Sequence, residues 1–215
     1  RHLHSMGYSD QELVTAKVAA VVKKGLPFDL FRGRVMFPII DLRGNVVAFG
    51  ARALGDEQPK YLNTGDTPVF KKSRNLFALN FAKGQKSSFL ILCEGYMDVI
   101  ALHQAGFRMA VATLGTALTP EQARILTQYT SEVLLSYDAD AAGQKATKRA
   151  SAILDQVGLQ IRVLKVENAK DPDEFIKKFG PARFKALLEK SQNAVDYQLS
   201  SLKNGLDLDT QEGKL

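Results

Sequence analysis

The pattern of apolar and polar positions changes character along the chain. Residues 5 to 25 carry apolar side chains at helical spacing, at Leu13, Ala16, Val18, Ala19 and Val22, behind a Ser9-Asp10-Gln11-Glu12 start and before Gly25. A capping box at that start and a glycine stop predict one short helix. Two apolar runs follow, Arg34 to Ile40 and Val46 to Arg52, around Asp41-Leu42-Arg43-Gly44-Asn45. They predict a β-hairpin. Residues 55 to 75 are rich in Gly, Pro, Asn, Thr and Lys and predict an irregular, basic segment.

From residue 89 the texture becomes a regular alternation. Apolar runs predict strands at 89–93, 109–113, 132–137 and 160–166, and helical patterns fall at 96–105, 120–130, 142–157 and from near Pro172. Alternation of this kind implies a parallel sheet covered by helices. Thr119-Pro120-Glu121-Gln122 combines an N-cap, a proline at N1 and a glutamine at N3, which fixes one helix start. Residues 181 to 215 predict a helix and then a polar tail.

Composition excludes several classes. The chain is 45% hydrophobic and 24% charged, unlike a disordered segment. No apolar run approaches the roughly 20 residues needed to cross a bilayer, and Arg1-His2-Leu3-His4 does not open a signal peptide, so a cytoplasmic protein with no membrane partner is expected. The single cysteine, Cys93, lies in an apolar run and predicts a buried small hydrophobe. His2, His4 and His103 have no metal-ligand spacing. The net charge of +6 is localised: residues 1 to 85 hold 13 Lys and Arg against 7 Asp and Glu, and residues 86 to 215 hold 16 of each. A basic first part suits a polyphosphate partner, whose condensed counterions it displaces.

Acids cluster after the predicted strands. Glu94 follows the first, Asp138 and Asp140 the third, Asp171 and Asp173 the fourth. Parallel strands put their carboxyl ends on one edge, where ligands of open α/β sheets bind, so these five carboxylates are expected to face one crevice. Two like charges ~4 Å apart repel by about 4 kcal/mol at an effective dielectric near 20. Such a cluster calls for cations, and oxygen donors alone point to Mg²⁺ or Mn²⁺. In the extended pair Asp138-Ala139-Asp140 both side chains project to one side and can grip one ion; the competing reading is that these acids only cap the next helix. Thr113-Leu114-Gly115-Thr116 is either a phosphate-contacting turn or a plain connection.

Glu94-Gly95-Tyr96-Met97-Asp98, Asp138-Ala139-Asp140 with Ala142-Gly143, and Asp171-Pro172-Asp173-Glu174-Phe175 resemble the TOPRIM domain of primases, topoisomerases, some nucleases and recombination proteins. Phe31 to Ile39, Ala48-Phe49-Gly50-Ala51-Arg52, Pro59-Lys60-Tyr61-Leu62-Asn63 and Phe70-Lys71-Lys72-Ser73-Arg74 resemble the core of DnaG-type bacterial DNA primases, and the similarity runs from residue 1 to about 190. Ala139 and Ala51 stand where that family more often has glycine.

The resemblance implies an α/β fold, a TOPRIM-type parallel sheet covered by helices, preceded by a basic α+β subdomain and followed by a truncated helical segment. Its expected divisions are an incomplete N-terminal subdomain at 1–85, the TOPRIM domain at 86–180 and the start of a C-terminal helical subdomain at 181–215. It implies synthesis of short RNA primers on single-stranded DNA from nucleoside triphosphates. Glu94, Asp138 and Asp140 are the expected catalytic residues and main ligands of two or more Mg²⁺ or Mn²⁺ ions, with Glu94 also a candidate proton acceptor and Asp98, Asp171 and Asp173 in support; Asp98 lies one helical turn after Glu94. Arg52, Lys60 and Lys72 are expected on template or nucleotide phosphates, with Arg32, Arg34 and Arg74 as further candidates and Tyr61 and Asn63 at a base or sugar. A zinc module before this segment and a helicase-binding domain after it are expected outside the chain. A TOPRIM nuclease or topoisomerase would use the same acids, and a non-catalytic nucleic-acid-binding module remains the alternative from another class.

Overall fold

The computed structural model describes residues 1–21, 25–138, 140–166 and 168–197. The first part holds helices α1 (His2–Ser5) and α2 (Asp10–Thr15), a small ribbon of β1 (Ala19–Ala20) and β2 (Phe28–Asp29), and the strands β3 (Arg34–Ile40), β4 (Val46–Ala53) and β5 (Tyr61–Asn63). A 3-10 turn at Lys72–Arg74 and helix α3 (Leu79–Ala82) lead to the second part. That part contains β6 (Phe89–Cys93), α4 (Tyr96–Gln104), β7 (Ala110–Ala112), α5 (Pro120–Leu126), β8 (Glu132–Ser136), α6 (Ala141–Asp155), β9 (Gln160–Val163), α7 (Pro172–Glu189) and β10 (Gln192–Asn193). Among the described residues no helix is long and apolar enough to cross a membrane.

The helix expected over 5 to 25 is corrected. The Ser9–Glu12 capping box forms, but α2 stops at Thr15, and Lys17 takes a left-handed backbone (φ 56°) that cannot continue a helix. Beyond it Ala19 and Ala20 pair with Asp29 and Phe28, so the apolar run past Lys17 turns into a strand; Val22 lies outside the described residues.

The hairpin forms at the expected place, with β3 and β4 antiparallel. Asp41 organises its turn: its carboxylate accepts the backbone N–H groups of Arg43 and Asn45, each at 2.9 Å, which holds it below the usual carboxylate range. The segment expected to be irregular contributes a third strand. β5 pairs with β4 so that Gly50 faces Asn63, Ala51 faces Leu62 and Arg52 faces Tyr61.

The larger sheet runs β10-β9-β8-β6-β7, parallel except for β10. The middles of its central strands β6 and β8 are apolar because both faces are covered. Leu90, Leu92, Val133 and Leu135 pack with Leu126 and Leu154 on one side, and Ile91, Cys93 and Leu134 pack with Val99, Leu102 and Phe175 on the other. Cys93 is fully buried, as expected. Helix α7 kinks at Gly180 (φ 78°, ψ 171°) ahead of Pro181, yet Phe184 and Leu188 stay in the second of these clusters and β10 extends the sheet. A boundary at 181 therefore does not coincide with a break in packing. Phe77 joins the two parts, exchanging backbone hydrogen bonds with Ala112 at 2.8 and 3.3 Å.

Candidate active site

Strand ends and helix starts set the acids. Glu94 follows β6 directly, and its Oε1 accepts the backbone N–H of Asp138 at 3.1 Å, so the ends of β6 and β8 are tied together through a carboxylate. Asp98 sits in the first turn of α4, 8% exposed, and Asp173 reaches it through its backbone N–H at 3.4 Å. Asp171 caps α7 by accepting the N–H of Glu174 at 2.8 Å.

These four acids, Glu94, Asp98, Asp138 and Asp171, line one cleft of about 380 Å³ together with Asp173. Arg52, Lys60, Tyr61 and Asn63 line the same cleft from the hairpin sheet. It is thus acidic on the parallel-sheet side and basic on the other. The guanidinium of Arg52 and the Nζ of Lys60 each lie 5.8 Å from the centroid of the Tyr61 ring, so one half-exposed aromatic side chain gathers both cations.

The electrostatics follow from crowding. Burial pushes Asp98 up to about 7 from its usual 3.8, with the Asp171, Asp138 and Asp173 charges adding to it. Glu94 and Asp138 are raised as well, by burial first and then by neighbouring carboxylates, while Lys170 pulls both down. An all-oxygen donor set whose members resist ionising beside one another fits hard divalent cations. The fit is one of donor chemistry: among the described residues no three acidic, histidine or cysteine side chains are grouped closely enough to hold a metal ion as they stand.

Not every expected residue enters the cleft. Asp140 is exposed and spends its Oδ1 on the N–H of Gly143 at 2.8 Å, capping α6. The capping reading therefore accounts for its position, although its charge still raises Glu94 and Asp138. Gly143 is required there, since a Cβ would lie 2.0 Å from the Asp138 carbonyl oxygen. Lys72 and Arg74 are held elsewhere: Gln122 Nε2 donates to the carbonyls of Lys72 and Asn75 at 2.9 and 2.8 Å, and Thr119 Oγ1 donates to that of Ser73 at 2.8 Å. The capping box of α5 thus anchors the 3-10 turn on the helix start, and Arg74 lines a different cavity with Arg43. Arg32 is exposed and does not line the cleft, and Arg34 donates from Nη1 to the Pro59 carbonyl at 2.7 Å, supporting the loop that ends at Lys60.

Two further groups belong to the site without a clear mark in the sequence. Lys170 lines the cleft among the acids; its one signal is a cation directly beside Asp171. Tyr96 is the joint between the two halves. It is 4% exposed, stacks within 4.9 to 5.6 Å of Phe37, Tyr61 and Phe77, and donates its hydroxyl to the Ala51 carbonyl at 3.3 Å. The turn after β7 also matters: Asn63 Nδ2 donates to the Leu114 carbonyl at 3.1 Å, and Gly115, at φ +71°, passes so close that a Cβ would lie 2.6 Å from that nitrogen.

Known proteins resemble the chain in sequence and in fold. Residues 91–176 match the Toprim-like family, and residues 1–83 match the DNA primase catalytic core, N-terminal domain. The DNA primase of Clostridium acetobutylicum is 44% identical over 98% of this chain, which covers 35% of that protein; the chain thus spans about a third of the length of such relatives. Among solved structures, a DNA primase domain from Pseudomonas aeruginosa is 38% identical, with a TM-score of 0.88 over 99% of this chain and 69% of that one. A DnaG primase catalytic domain bound to ssDNA is 36% identical, with a TM-score of 0.86 over 98% and 68%. With both family matches in order along it and solved primase cores of that identity covered to more than two thirds, the chain belongs to the DnaG-type DNA primase catalytic-core family.

Proposed function

We propose that this chain carries the nucleotidyl-transfer site of a DNA primase, which builds short RNA primers on a single-stranded DNA template from nucleoside triphosphates. The observation that carries this reading is the one cleft that unites Glu94, Asp98, Asp138, Asp171 and Asp173 with Arg52, Lys60, Tyr61 and Asn63. A nuclease needs the acids; a polymerase also needs cations that seat a triphosphate and a template beside them.

In this reading Glu94 and Asp138 hold Mg²⁺ or Mn²⁺, two or more ions in all, with Asp98, Asp171 and Asp173 in support and Asp140 adding charge from the rim. Divalent ions there would stabilise charge on the attacking and leaving oxygens. The chain's own groups do the positioning. Arg52 and Lys60 bind phosphate oxygens, Tyr61 offers a ring face to a base or sugar, and Asn63 keeps the turn at Gly115 against the cleft. A ribonucleotide 3′-hydroxyl oxygen then bonds to the α-phosphorus of the incoming triphosphate, the bond to the β-phosphate oxygen breaks, pyrophosphate leaves with that electron pair, and the hydroxyl proton goes to water in the open cleft. Lys72, Arg74, Arg32 and Arg34, outside the cleft, are left for the path of the template strand.

The protein acts in the cytoplasm at the replication fork, with a zinc module and a helicase-binding domain supplied by other segments. De novo formation of RNA on single-stranded DNA, with nucleoside triphosphates and Mg²⁺ or Mn²⁺, tests the reading. Cleavage of DNA without RNA synthesis would favour a TOPRIM nuclease instead.

A further inference from the structure

Glu94 lies on the wall of two cavities. One is the cleft described above. The other, of about 300 Å³, continues past Thr113 and Gly115 to Thr116 and then along α6 to Ala146 and Arg149, with Tyr137 behind. Glu94, Thr113 and Gly115 belong to both, so the two spaces lie side by side and share these residues as a wall.

The second cavity has its own chemistry. Its walls are largely apolar, and its cation is Arg149, an exposed side chain that has no hydrogen-bond or ion-pair partner among the described residues. Helix α6 presents Lys145, Lys148 and Arg149 and carries no acidic residue before Asp155. This basic face is hidden in the overall charge count, because the acids of the cleft cancel it over residues 86 to 215.

Starting a chain without a primer requires two nucleotides at once. One is attacked at its α-phosphate; the other brings the 3′-hydroxyl and keeps its own 5′-triphosphate. Phosphate-binding groups are therefore needed on both sides of the carboxylates. In the proposed function Arg52 and Lys60 serve the first side. We infer that the cavity between the Thr113–Thr116 turn and α6 is the subsite for the initiating nucleotide, with Arg149 pairing its 5′-phosphates and the apolar wall of Tyr137 and Ala146 taking its base or sugar. This assignment rests on the primase reading. The Thr113–Thr116 turn then forms a boundary shared by the two nucleotide sites, pinned by Asn63.

The test compares two reactions in the same preparation, formation of the first dinucleotide from nucleoside triphosphates and extension of an RNA strand already annealed to template. The retained 5′-triphosphate matters only in the first. Arg149→Ala should raise the concentration of initiating triphosphate needed for half-maximal dinucleotide formation about tenfold or more, the weight of one charge-assisted contact, and lower the ratio of initiation to extension. Ala146→Leu, which fills the cavity without touching charge, should lower the same ratio. The ratio is insensitive to the amount of folded protein, so a variant that folds poorly still reports. An unchanged ratio in either variant, with wild-type protein making primers, overturns the subsite. Wild-type protein that forms no dinucleotide at all overturns the function beneath it, and the subsite with it.

Discussion

The hydroxyl of Tyr96, at the start of α4, donates to the backbone carbonyl of Ala51 in β4 at 3.3 Å. One end of this residue stands two positions from Glu94, and the other is seated on the sheet that carries Arg52 and that Lys60 immediately precedes at β5. Burial pushes its hydroxyl up to about 12, so it remains a neutral donor at any working pH. This contact holds the acidic and basic walls together beside the Phe77–Ala112 backbone bonds and the Asn63–Leu114 bond. Tyr96→Phe should cost about 0.5–1.5 kcal/mol of stability, and Tyr96→Ala about 3–5 kcal/mol as the ring's cavity opens. Denaturant midpoints of the two variants check this, and nucleotide binding should weaken in both although no charge has changed.

Asp98 makes the metal-free protein sensitive to pH. Its folded value of about 7 lies above the usual 3.8, so between those limits the folded chain holds a proton that the unfolded chain has lost. The stability this contributes is fully present below about pH 4 and is lost as pH rises to about 7, a fall on the order of a few kcal/mol. Melting in a chelator across this range should show the decline, and Asp98→Asn should flatten it. Divalent cations require the ionised form, so their affinity should rise over the same window.

Asp138 and Asp140 are expected to separate. Asp140→Ala removes the cap of α6 and should cost about 0.5–2 kcal/mol, whereas Asp140→Asn keeps a capping oxygen and should cost little. Asp138→Asn should leave stability unchanged or higher without metal, because repulsion is relieved, yet abolish nucleotide addition. Asp140→Asn is expected to weaken nucleotide addition less, since only its field reaches the cleft. Melting temperatures and single-turnover rates for the three variants distinguish a ligand from a cap.

The basic residues are also expected to divide by position. Lys60→Ala, in the cleft, should weaken nucleotide binding, and the slope of log affinity against log salt should shrink by about one unit for each phosphate that is no longer neutralised. Lys72→Ala should alter binding of long single-stranded DNA while leaving that of a mononucleotide unchanged. Titrations at several salt concentrations with each ligand give the answer.

Much of this is legible in the sequence because its rules are local or periodic. The β3–β4 hairpin shows itself through two apolar runs around an Asp-to-Asn turn, and Glu94 and Asp138 can be placed on one edge because parallel strands end together. The extent of the first helix is not legible, because the positive φ at Lys17 leaves no mark in apolar spacing. By motif Lys72 is the equal of Lys60; the contacts that separate them run from Gln122 and Thr119, some 50 positions away, and such long-range anchoring is invisible in a linear pattern. Asp140 is ambiguous for a physical reason, since a carboxylate that caps a helix and one that binds a cation occupy the same place after a strand.

The most direct test of the account is the affinity for Mn²⁺, measured beside primer synthesis, for wild-type protein and for Glu94→Gln, which keeps size and hydrogen-bonding capacity but removes the charge of a residue that lines both cavities. The account predicts weaker Mn²⁺ binding and a loss of synthesis that higher Mn²⁺ partly restores, as mass action refills the site. Normal Mn²⁺ affinity together with normal primer synthesis would contradict it and leave Glu94 as a strand-end acid whose carboxylate only ties β6 to β8.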